Sequence, residues 1–272
     1  MSTLPEAAAP LVTSARIGRV AWLTLNNPRA LNALSMPMLQ ALDEAFAEAA
    51  HDKAVKVVVI AAEGKGFCAG HDLKEMTRHR QDPDGGRAFY EALFEQCTKV
   101  MLAITRAPVP VIAVVHGIAT AAGCQLVSAC DIVIASTEAR FGVNGVDAGL
   151  FCSTPLVALS RAIPAKAAME MLVLGEIIPA ERAEMLGLVN RIVEPDALNE
   201  TALAYAERAA RKSRAVVALG KSAFYAQRDM DLDAAYAHTC KVIVDNLMMD
   251  EAREGIGAFI EKRAPVWPDD AE

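Results

Sequence analysis

The fold is indicated by one stretch, VPVIAVVHGIATAAGCQLVSACDIVIAS, which runs from Val109 to Ser136. It predicts a buried strand over 109–115, a turn of very small residues over 117–123, a short helix over 124–130 and a second buried strand over 132–135. Both strands are apolar along their whole length, so neither face of either strand is expected to meet water.

The small-residue turn is the first candidate for a functional site. It contains no bulky side chain at the positions Gly117, Ala119, Ala121, Ala122 and Gly123, so a ligand can approach the main chain there. The helix that follows begins with N–H groups that have no intrahelical partner, and such groups favour a developing negative charge. A tight packing corner between a strand and a helix is the alternative interpretation, and this stretch alone leaves both open.

Length and composition limit the class of protein. The chain has 272 residues, 53% of them hydrophobic, and a net charge of −7. An acidic chain has no electrostatic reason to bind nucleic acid or an anionic membrane. We therefore expect a soluble enzyme or binding protein with no nucleic-acid or membrane partner.

Targeting and metal signals are absent from the sequence. The leader from Met1 to Pro10 has neither a basic region nor an apolar core, and no apolar run reaches the roughly 18 residues of a membrane span. The sequence therefore predicts a cytoplasmic protein. Its six cysteines are scattered in apolar segments without a Cys-x-x-Cys pair, which predicts buried, reduced thiols for most of them and no metal site.

Hydrophobic periodicity divides the chain into two regions. After a polar, frayed leader, strands are predicted over 20–25 and 55–62 with an amphipathic helix over 36–50 between them, which begins a βα repeat. From Pro155 onward helices dominate, and a break lies near Val193 to Pro195. We predict an α/β core over 1–194 and a helical C-terminal region over 195–272.

Several motifs together resemble one protein family. They are Gly66-Phe-Cys-Ala-Gly-His-Asp-Leu73, His116-Gly-Ile-Ala-Thr-Ala-Ala-Gly-Cys-Gln-Leu126, Cys130-Asp-Ile132, Phe141-Gly142 and Gly187-Leu-Val-Asn190. The chain resembles the enoyl-CoA hydratase/isomerase (crotonase) family, collinearly from about Val20 to Arg263. The resemblance implies a spiral of ββα units followed by a helical trimerisation region, a homotrimer or a dimer of trimers, and a place in fatty-acid metabolism. It also implies an acyl-CoA substrate, with coenzyme A as part of that substrate and no permanently bound cofactor.

In that family two backbone N–H groups hold the thioester oxygen, and these positions correspond to His71 and Ala122. Forming an enolate from a thioester places charge on the carbonyl oxygen, and a preorganised donor there contributes roughly 3 to 4 kcal/mol. A phosphate-binding loop is the competing interpretation. It is disfavoured because 117–123 lacks the Gly-x-Gly-x-x-Gly spacing and 64–70 lacks the Lys-Ser/Thr of a nucleotide loop.

The resemblance fails at the two acids of a hydratase. Their positions correspond to Gln125 and Gly145, neither of which can exchange a proton. Losing general acid–base catalysis typically lowers the rate by about 10² to 10⁴. His71, Asp147 and Cys152 are candidate substitutes. The alternatives are a histidine that covers the ligand, a surface or capping carboxylate, and a thiol without a histidine partner.

The resemblance also implies ligand-binding positions. Those that line the path of coenzyme A correspond to Ala30, Leu31, Ala69, His71 and Leu73. Phe259 and Lys262 correspond to the C-terminal helix that often reaches a neighbouring subunit's adenine pocket. The alternative for these two residues is helix packing and a solvated helix end.

Three functions remain open. The first is an enoyl-CoA hydratase or isomerase type of enzyme with an intact oxyanion hole and rearranged proton-handling groups. The second is a non-catalytic acyl-CoA-binding protein, and the third is a thioester hydrolase or decarboxylase. The replacement of both acids favours the second and third, and the small-residue turn favours the first and third.

Overall fold

A computed structural model of the protein describes residues 9–268, so most of the predicted leader lies outside the described residues. The strands in this range are β1 (Val12–Ile17), β2 (Val20–Leu25), β3 (Val57–Ala62), β4 (Gly66–Cys68), β5 (Val111–Val115), β6 (Ile118–Thr120), β7 (Ile132–Ser136), β8 (Arg140–Gly142), β9 (Ile177–Pro179) and β10 (Arg191–Val193). The α-helices are α1 (Met36–His51), α2 (Leu73–His79), α3 (Arg87–Arg106), α4 (Ala122–Ala129), α5 (Pro155–Ala162), α6 (Ala165–Leu174), α7 (Ala180–Leu186), α8 (Leu198–Ala210), α9 (Arg214–Gln227), α10 (Leu232–Leu247) and α11 (Asp250–Glu261).

The strands belong to two sheets between which the chain alternates. Across residues 9–268 the larger sheet has the order β1-β2-β3-β5-β7-β10 and the smaller one the order β4-β6-β8-β9. From β3 to α5, each strand of the larger sheet is followed by a strand of the smaller sheet and then by helix. Within the larger sheet every neighbouring pair from β2 to β10 is parallel: β2 with β3, β3 with β5, β5 with β7 and β7 with β10. The ββα repeat that the resemblance implies is therefore present.

The central strand β3 is buried on both faces, as its uninterrupted apolar sequence predicts. Val58 and Ile60 pack on one side of the sheet into the cluster that contains the buried residues of α1, α3 and α4. Val57 and Val59 pack on the opposite side with Ala202 of α8. Successive side chains of a strand point to opposite faces, so a strand between two helical layers needs apolar residues at every position.

Five short or exposed strands differ from the prediction, and two of them, β9 and β10, lie in the region where helices were predicted to dominate. Strand β1 forms within the segment predicted as frayed, and it pairs antiparallel with β2 from Val12 opposite Leu25 to Ile17 opposite Val20. Its side chains are mostly exposed, so the backbone pairing leaves no trace in the hydropathy. Strands β4 and β6 lie within predicted turns, because three residues are too few to show a period.

The C-terminal region has two parts. Helix α8 lies against the larger sheet. Helix α10, by contrast, has no buried residue, and α11 has one, Ala258. Their exposed apolar side chains include Tyr236, Leu247, Phe259 and Ile260. The division at 194/195 remains a prediction. Within residues 9–268 no helix has the length and apolarity needed to cross a membrane.

Candidate active site

Two backbone loops touch at the centre of the site. One follows β4 at Gly70, and the other precedes α4 at Ala121. Gly70 has φ +90°, and a β-carbon on it would lie 2.8 Å from the β-carbon of Ala121 and 3.3 Å from the nitrogen of Ala122. A β-carbon on Gly123 would lie 2.1 Å from the carbonyl oxygen of Cys68. Only glycine at these positions lets the two loops approach so closely.

The N–H groups of His71 and Ala122 lie in these two loops. Ala122 is the first residue of α4, which has no side-chain cap, and Ala121 before it has the unusual angles φ 49° and ψ −118°. Among the backbone hydrogen bonds of the turns, loops and helix ends in residues 9–268, neither the N–H of His71 nor that of Ala122 is a donor. The turn is held instead by the N–H of Ala121, which donates to the carbonyl of Gly142 at 2.9 Å. A donor at a helix N-terminus has a favourable dipole behind it for an anionic oxygen.

The imidazole of His71 is anchored by one nitrogen. Nδ1 lies 3.1 Å from the carbonyl oxygen of Leu34, so Nδ1 carries the proton and neutral His71 has a bare Nε2. Nε2 is buried without a partner among the described residues, and the ring packs edge-on against Phe94 at 5.0 Å. Burial lowers the pKa of His71, against the opposing hydrogen bond to Leu34. The side chain is therefore neutral at pH 7 and can accept, but not supply, a proton.

Gln125 lies one turn into α4 from Ala122. It is 5% exposed, and its Oε1 is buried without a hydrogen-bond partner among residues 9–268. It lines a cavity of about 760 Å³ between α3, α4, α5 and α9, together with Thr98, Thr154 and Val157. An unpaired buried amide oxygen typically costs about 1–3 kcal/mol, which a ligand or water donor can remove. Gln125 is thus a polar group available to an occupant of this cavity.

Gly145 lies in a 3₁₀ turn, Asn144–Ala148, and has no room for a side chain. A β-carbon there would lie 2.5 Å from the carbonyl oxygen of Leu150 and 2.8 Å from Sγ of Cys152. Burial raises the pKa of the Cys152 thiol, so the sulfur is protonated at neutral pH and a weak nucleophile.

Asp131 was not among the predicted site residues, although it holds α9 to the core. Its Oδ2 lies 2.6 Å from Nζ of Lys221, and its Oδ1 accepts a hydrogen bond of 2.9 Å from the Tyr225 hydroxyl. Nζ of Lys221 also donates to the carbonyl oxygens of Ile104 and Val109. Burial lowers the pKa of Lys221, with the carboxylate of Asp131 opposing that shift. Tyr225 and Asp131 line the cavity described above, so this network fixes one of its walls.

Comparison with known proteins places this geometry in a family. Residues 16–270 match the family described as "Enoyl-CoA hydratase/isomerase". The chain belongs to this family. It is 47% identical over 259 residues to the human protein named "Enoyl-CoA hydratase domain-containing protein 3, mitochondrial". The aligned region covers 95% of this chain and 84% of that protein. The rat protein of the same name is 46% identical over 263 residues, covering 97% of this chain and 86% of that protein.

A solved structure confirms the fold of this hydratase/isomerase family member. The crystal structure of an enoyl-CoA hydratase from Mycobacterium smegmatis has a TM-score of 0.90 and 55% sequence identity, over 95% of this chain and 99% of that chain. The predicted α/β crotonase-like spiral with C-terminal helices is therefore correct. Among the described residues no group of three His, Cys, Asp or Glu side chains could hold a metal ion.

The predicted cytoplasmic location is wrong by this comparison, because the human and rat relatives are both named mitochondrial. The prediction depended on the composition of the leader and of the whole chain. Import signals are separate N-terminal segments, and the composition of a folded enzyme does not record its compartment.

Most of the predicted coenzyme A positions come together in this family member. The N–H of Ala69 donates to the carbonyl of Leu31 at 3.0 Å, and Leu34 and His71 form a parallel bridge. Asn32, which the sequence analysis missed, joins this turn to the loop between β3 and β4. Its Nδ2 donates to the carbonyls of Glu63 and Gly66 at 2.9 and 3.0 Å. Ala30 directly precedes Leu31 in the chain, and Leu73 follows His71 by two residues and is exposed.

The other predicted positions lie elsewhere. The carboxylate oxygens of Asp147 lie 3.0 and 3.1 Å from where a β-carbon on Gly175 would be, so this side chain faces the end of α6. Asp147 does not line the cavity of Gln125. Phe259 is 84% exposed, and Lys262 follows the end of α11, so neither is brought to the two loops within one chain.

Proposed function

We propose that this chain is an acyl-CoA thioester enzyme that stabilises an enolate in an oxyanion hole formed by the N–H groups of His71 and Ala122. The observation that carries this proposal is the close contact between the Gly70 loop and the start of α4. A β-carbon placed on Gly70 would lie only 3.3 Å from the backbone nitrogen of Ala122. Membership of the enoyl-CoA hydratase/isomerase family supports it. The substrate is a 2-enoyl-CoA or a related thioester, with coenzyme A as its leaving or carrier group and no other cofactor.

In this mechanism the chain supplies charge stabilisation and little proton transfer. Negative charge grows on the thioester oxygen as electrons move into the carbonyl, and each well-placed donor lowers the barrier by roughly 3 to 4 kcal/mol. Nε2 of His71 and Oε1 of Gln125 are uncharged hydrogen-bond acceptors with no proton to donate. The carboxylate of Asp147 faces the end of α6 and does not line the cavity of Gln125. Hydration, which needs a base for water and an acid for the α-carbon, is therefore expected to be slow.

A second candidate is decarboxylation of a thioester that carries a β-carboxylate, and the absence of room for a side chain at Gly145 favours it. When the C–C bond to the carboxylate breaks, CO₂ leaves and the electron pair enters the enolate. Water then protonates the α-carbon. This reaction needs the oxyanion hole but no carboxylate from the protein.

We also propose that the protein works as a homotrimer or a dimer of trimers. The exposed apolar side chains of α10 and α11 support this assembly, because large apolar side chains exposed in such number are usually covered by a partner. In such an assembly Phe259 and Lys262 would contact the adenine pocket of a neighbouring subunit.

Gly70→Ala is the decisive variant. Its β-carbon separates the two loops, so turnover of crotonyl-CoA or malonyl-CoA should fall by about 10² or more, as for loss of one oxyanion donor. Gly220→Ala is the matched control, since a β-carbon there meets no atom within 4 Å. Equal turnover in both variants would contradict the oxyanion hole. Tight thioester binding without turnover of either substrate by the natural chain would favour a non-catalytic acyl-CoA-binding protein.

A further inference from the structure

Glu75 is a buried carboxylate in the first turn of α2, and it is 8% exposed. Asp72 is the N-cap of this helix, and its side chain accepts a hydrogen bond from the N–H of Glu75. This spacing has the form of a capping box, in which the glutamate accepts in return from the N–H of its own N-cap residue. Oε2 of Glu75 instead accepts from the N–H of Met36, at 3.0 Å, where α1 begins.

Helix α1 has a cap of its own at this end. Ser35 is its N-cap, and the hydroxyl of Ser35 accepts a hydrogen bond from the N–H of Met38. Pro37 has no N–H, and the N–H of Leu39 donates to the carbonyl of Ser35. Among the first four residues of α1, Met36 is therefore the donor that bonds outside this segment. Its bond to Glu75 joins two segments of the chain.

The segment before α1 is joined to the segment of His71 by three hydrogen bonds. The N–H of Leu34 donates to the carbonyl of Gly70 at 2.7 Å, and Nδ1 of His71 lies 3.1 Å from the carbonyl oxygen of Leu34. The third bond, from Met36 to Glu75, lies on the other side of His71 along the chain. Gly70 and Glu75 thus hold the backbone of His71 from both sides.

Glu75 acts here as a hydrogen-bond acceptor, and its charge has no visible effect on His71. Burial and the hydrogen bond to Leu34 are the causes of the shift in the pKa of His71, and no carboxylate contributes to it. An amide oxygen can accept the same hydrogen bond from Met36. A glutamine at position 75 should therefore replace the glutamate without moving the loop.

We propose that Glu75 is a positioning residue, which holds the N–H of His71 in the direction needed to donate to the thioester oxygen. The proposal rests on the proposed function, in which this N–H is one of the two oxyanion donors. The other donor, at Ala122, is fixed at the start of a helix, whereas His71 lies in a loop. Because hydrogen bonds weaken steeply as their angle departs from linearity, a loop that moves loses much of its effect on the transition state.

The test compares Glu75→Met with Glu75→Gln, because both remove the charge and only glutamine keeps an acceptor oxygen. Deuterium exchange of the backbone N–H groups of residues 69–74 should be faster in Glu75→Met and close to natural in Glu75→Gln. The kcat for crotonyl-CoA or malonyl-CoA should fall by about tenfold in Glu75→Met, which is part of the roughly 10²- to 10³-fold loss expected when an oxyanion donor is removed. KM should change little, because the donor acts in the transition state.

Ser35→Ala is the matched control, because it removes a cap from the same end of α1 and leaves the bond between Met36 and Glu75 in place. It should lower stability and leave both kcat and the exchange of residues 69–74 unchanged. The proposal is overturned if exchange in Glu75→Met is no faster than in Ser35→Ala. It is also overturned if Glu75→Gln loses as much kcat as Glu75→Met. If exchange responds as expected but the natural chain turns over neither thioester, the proposed function fails while the placement of His71 by Glu75 stands.

Discussion

The sulfur of Cys152 fills the space beside Gly145, 2.8 Å from where a β-carbon on residue 145 would be. The other obstacle is the carbonyl oxygen of Leu150, whose N–H donates to the carbonyl of Gly145 at 2.9 Å. A backbone oxygen held in a tight turn cannot rotate away as a side chain can. Position 145 therefore excludes the acid that the family resemblance leads one to expect there.

Restoring both acids should not create an efficient hydratase. We expect the double variant Gln125→Glu/Gly145→Glu to lose about 1–3 kcal/mol of stability through overpacking. Its hydration of crotonyl-CoA should stay within tenfold of the natural chain. Gln125→Glu alone is the control for the first position, and turnover and thermal unfolding are measured on all three proteins. A hundredfold gain in the double variant would show that the turn opens to admit the side chain.

Lys221→Met should destabilise the fold by about 3 kcal/mol, because it leaves the carboxylate of Asp131 buried without its cation. The side chain of Lys221 is 8% exposed. Lys99→Met is the matched control: Nζ of Lys99 is also 2.6 Å from a carboxylate, that of Asp43, but its side chain is 66% exposed. A pair whose cation is exposed contributes at most about 1 kcal/mol, and the Asp43 carboxylate keeps a hydrogen bond from Gln96 when Lys99 is replaced. Chemical denaturation that gives equal losses would contradict this difference.

His71 should make the fold less stable in acid. Burial lowers its pKa in the folded state below the ordinary value of about 6.5, so between these two values the unfolded chain binds more protons. Stability therefore falls as the pH drops below about 6.5, until the folded-state pKa is passed.

The matching experiment compares the free energy of unfolding at pH 7.5 and pH 5. His71→Gln should show a smaller loss between these pH values than the natural chain. His51→Gln, which removes an exposed histidine, is the control and should behave like the natural chain. A full acid-induced loss in His71→Gln would assign the effect to other groups.

Ala121→Gly should stabilise the protein by about 1 kcal/mol, because the φ of 49° at Ala121 is strained for any residue with a β-carbon. Ala204→Gly, at an exposed interior position of α8, should have the opposite sign and cost about 1 kcal/mol. For a chain of this size either change moves the melting temperature by roughly 2–4 °C. Destabilisation by both substitutions would show that Ala121 is unstrained.

Long periodic segments were predictable, and short ones were not. The strand β2 has the predicted bounds and the helix α1 ends one residue beyond its predicted end, because each contains several repeats of an apolar period. The three-residue strands β4 and β6 depend on backbone partners that are remote in the chain. Their sequence therefore predicts only a turn.

The sequence by itself determined the family, the fold and the two glycine-containing loops that make up the candidate site, because motifs and periodicity are local properties of the chain. Only the tertiary structure decided what the side chains in that site can do. The bare Nε2 of His71, the unpaired amide of Gln125 and the blocked position at Gly145 each depend on contacts with distant segments. Burial and hydrogen bonding set protonation and available space, and both arise when those segments pack together.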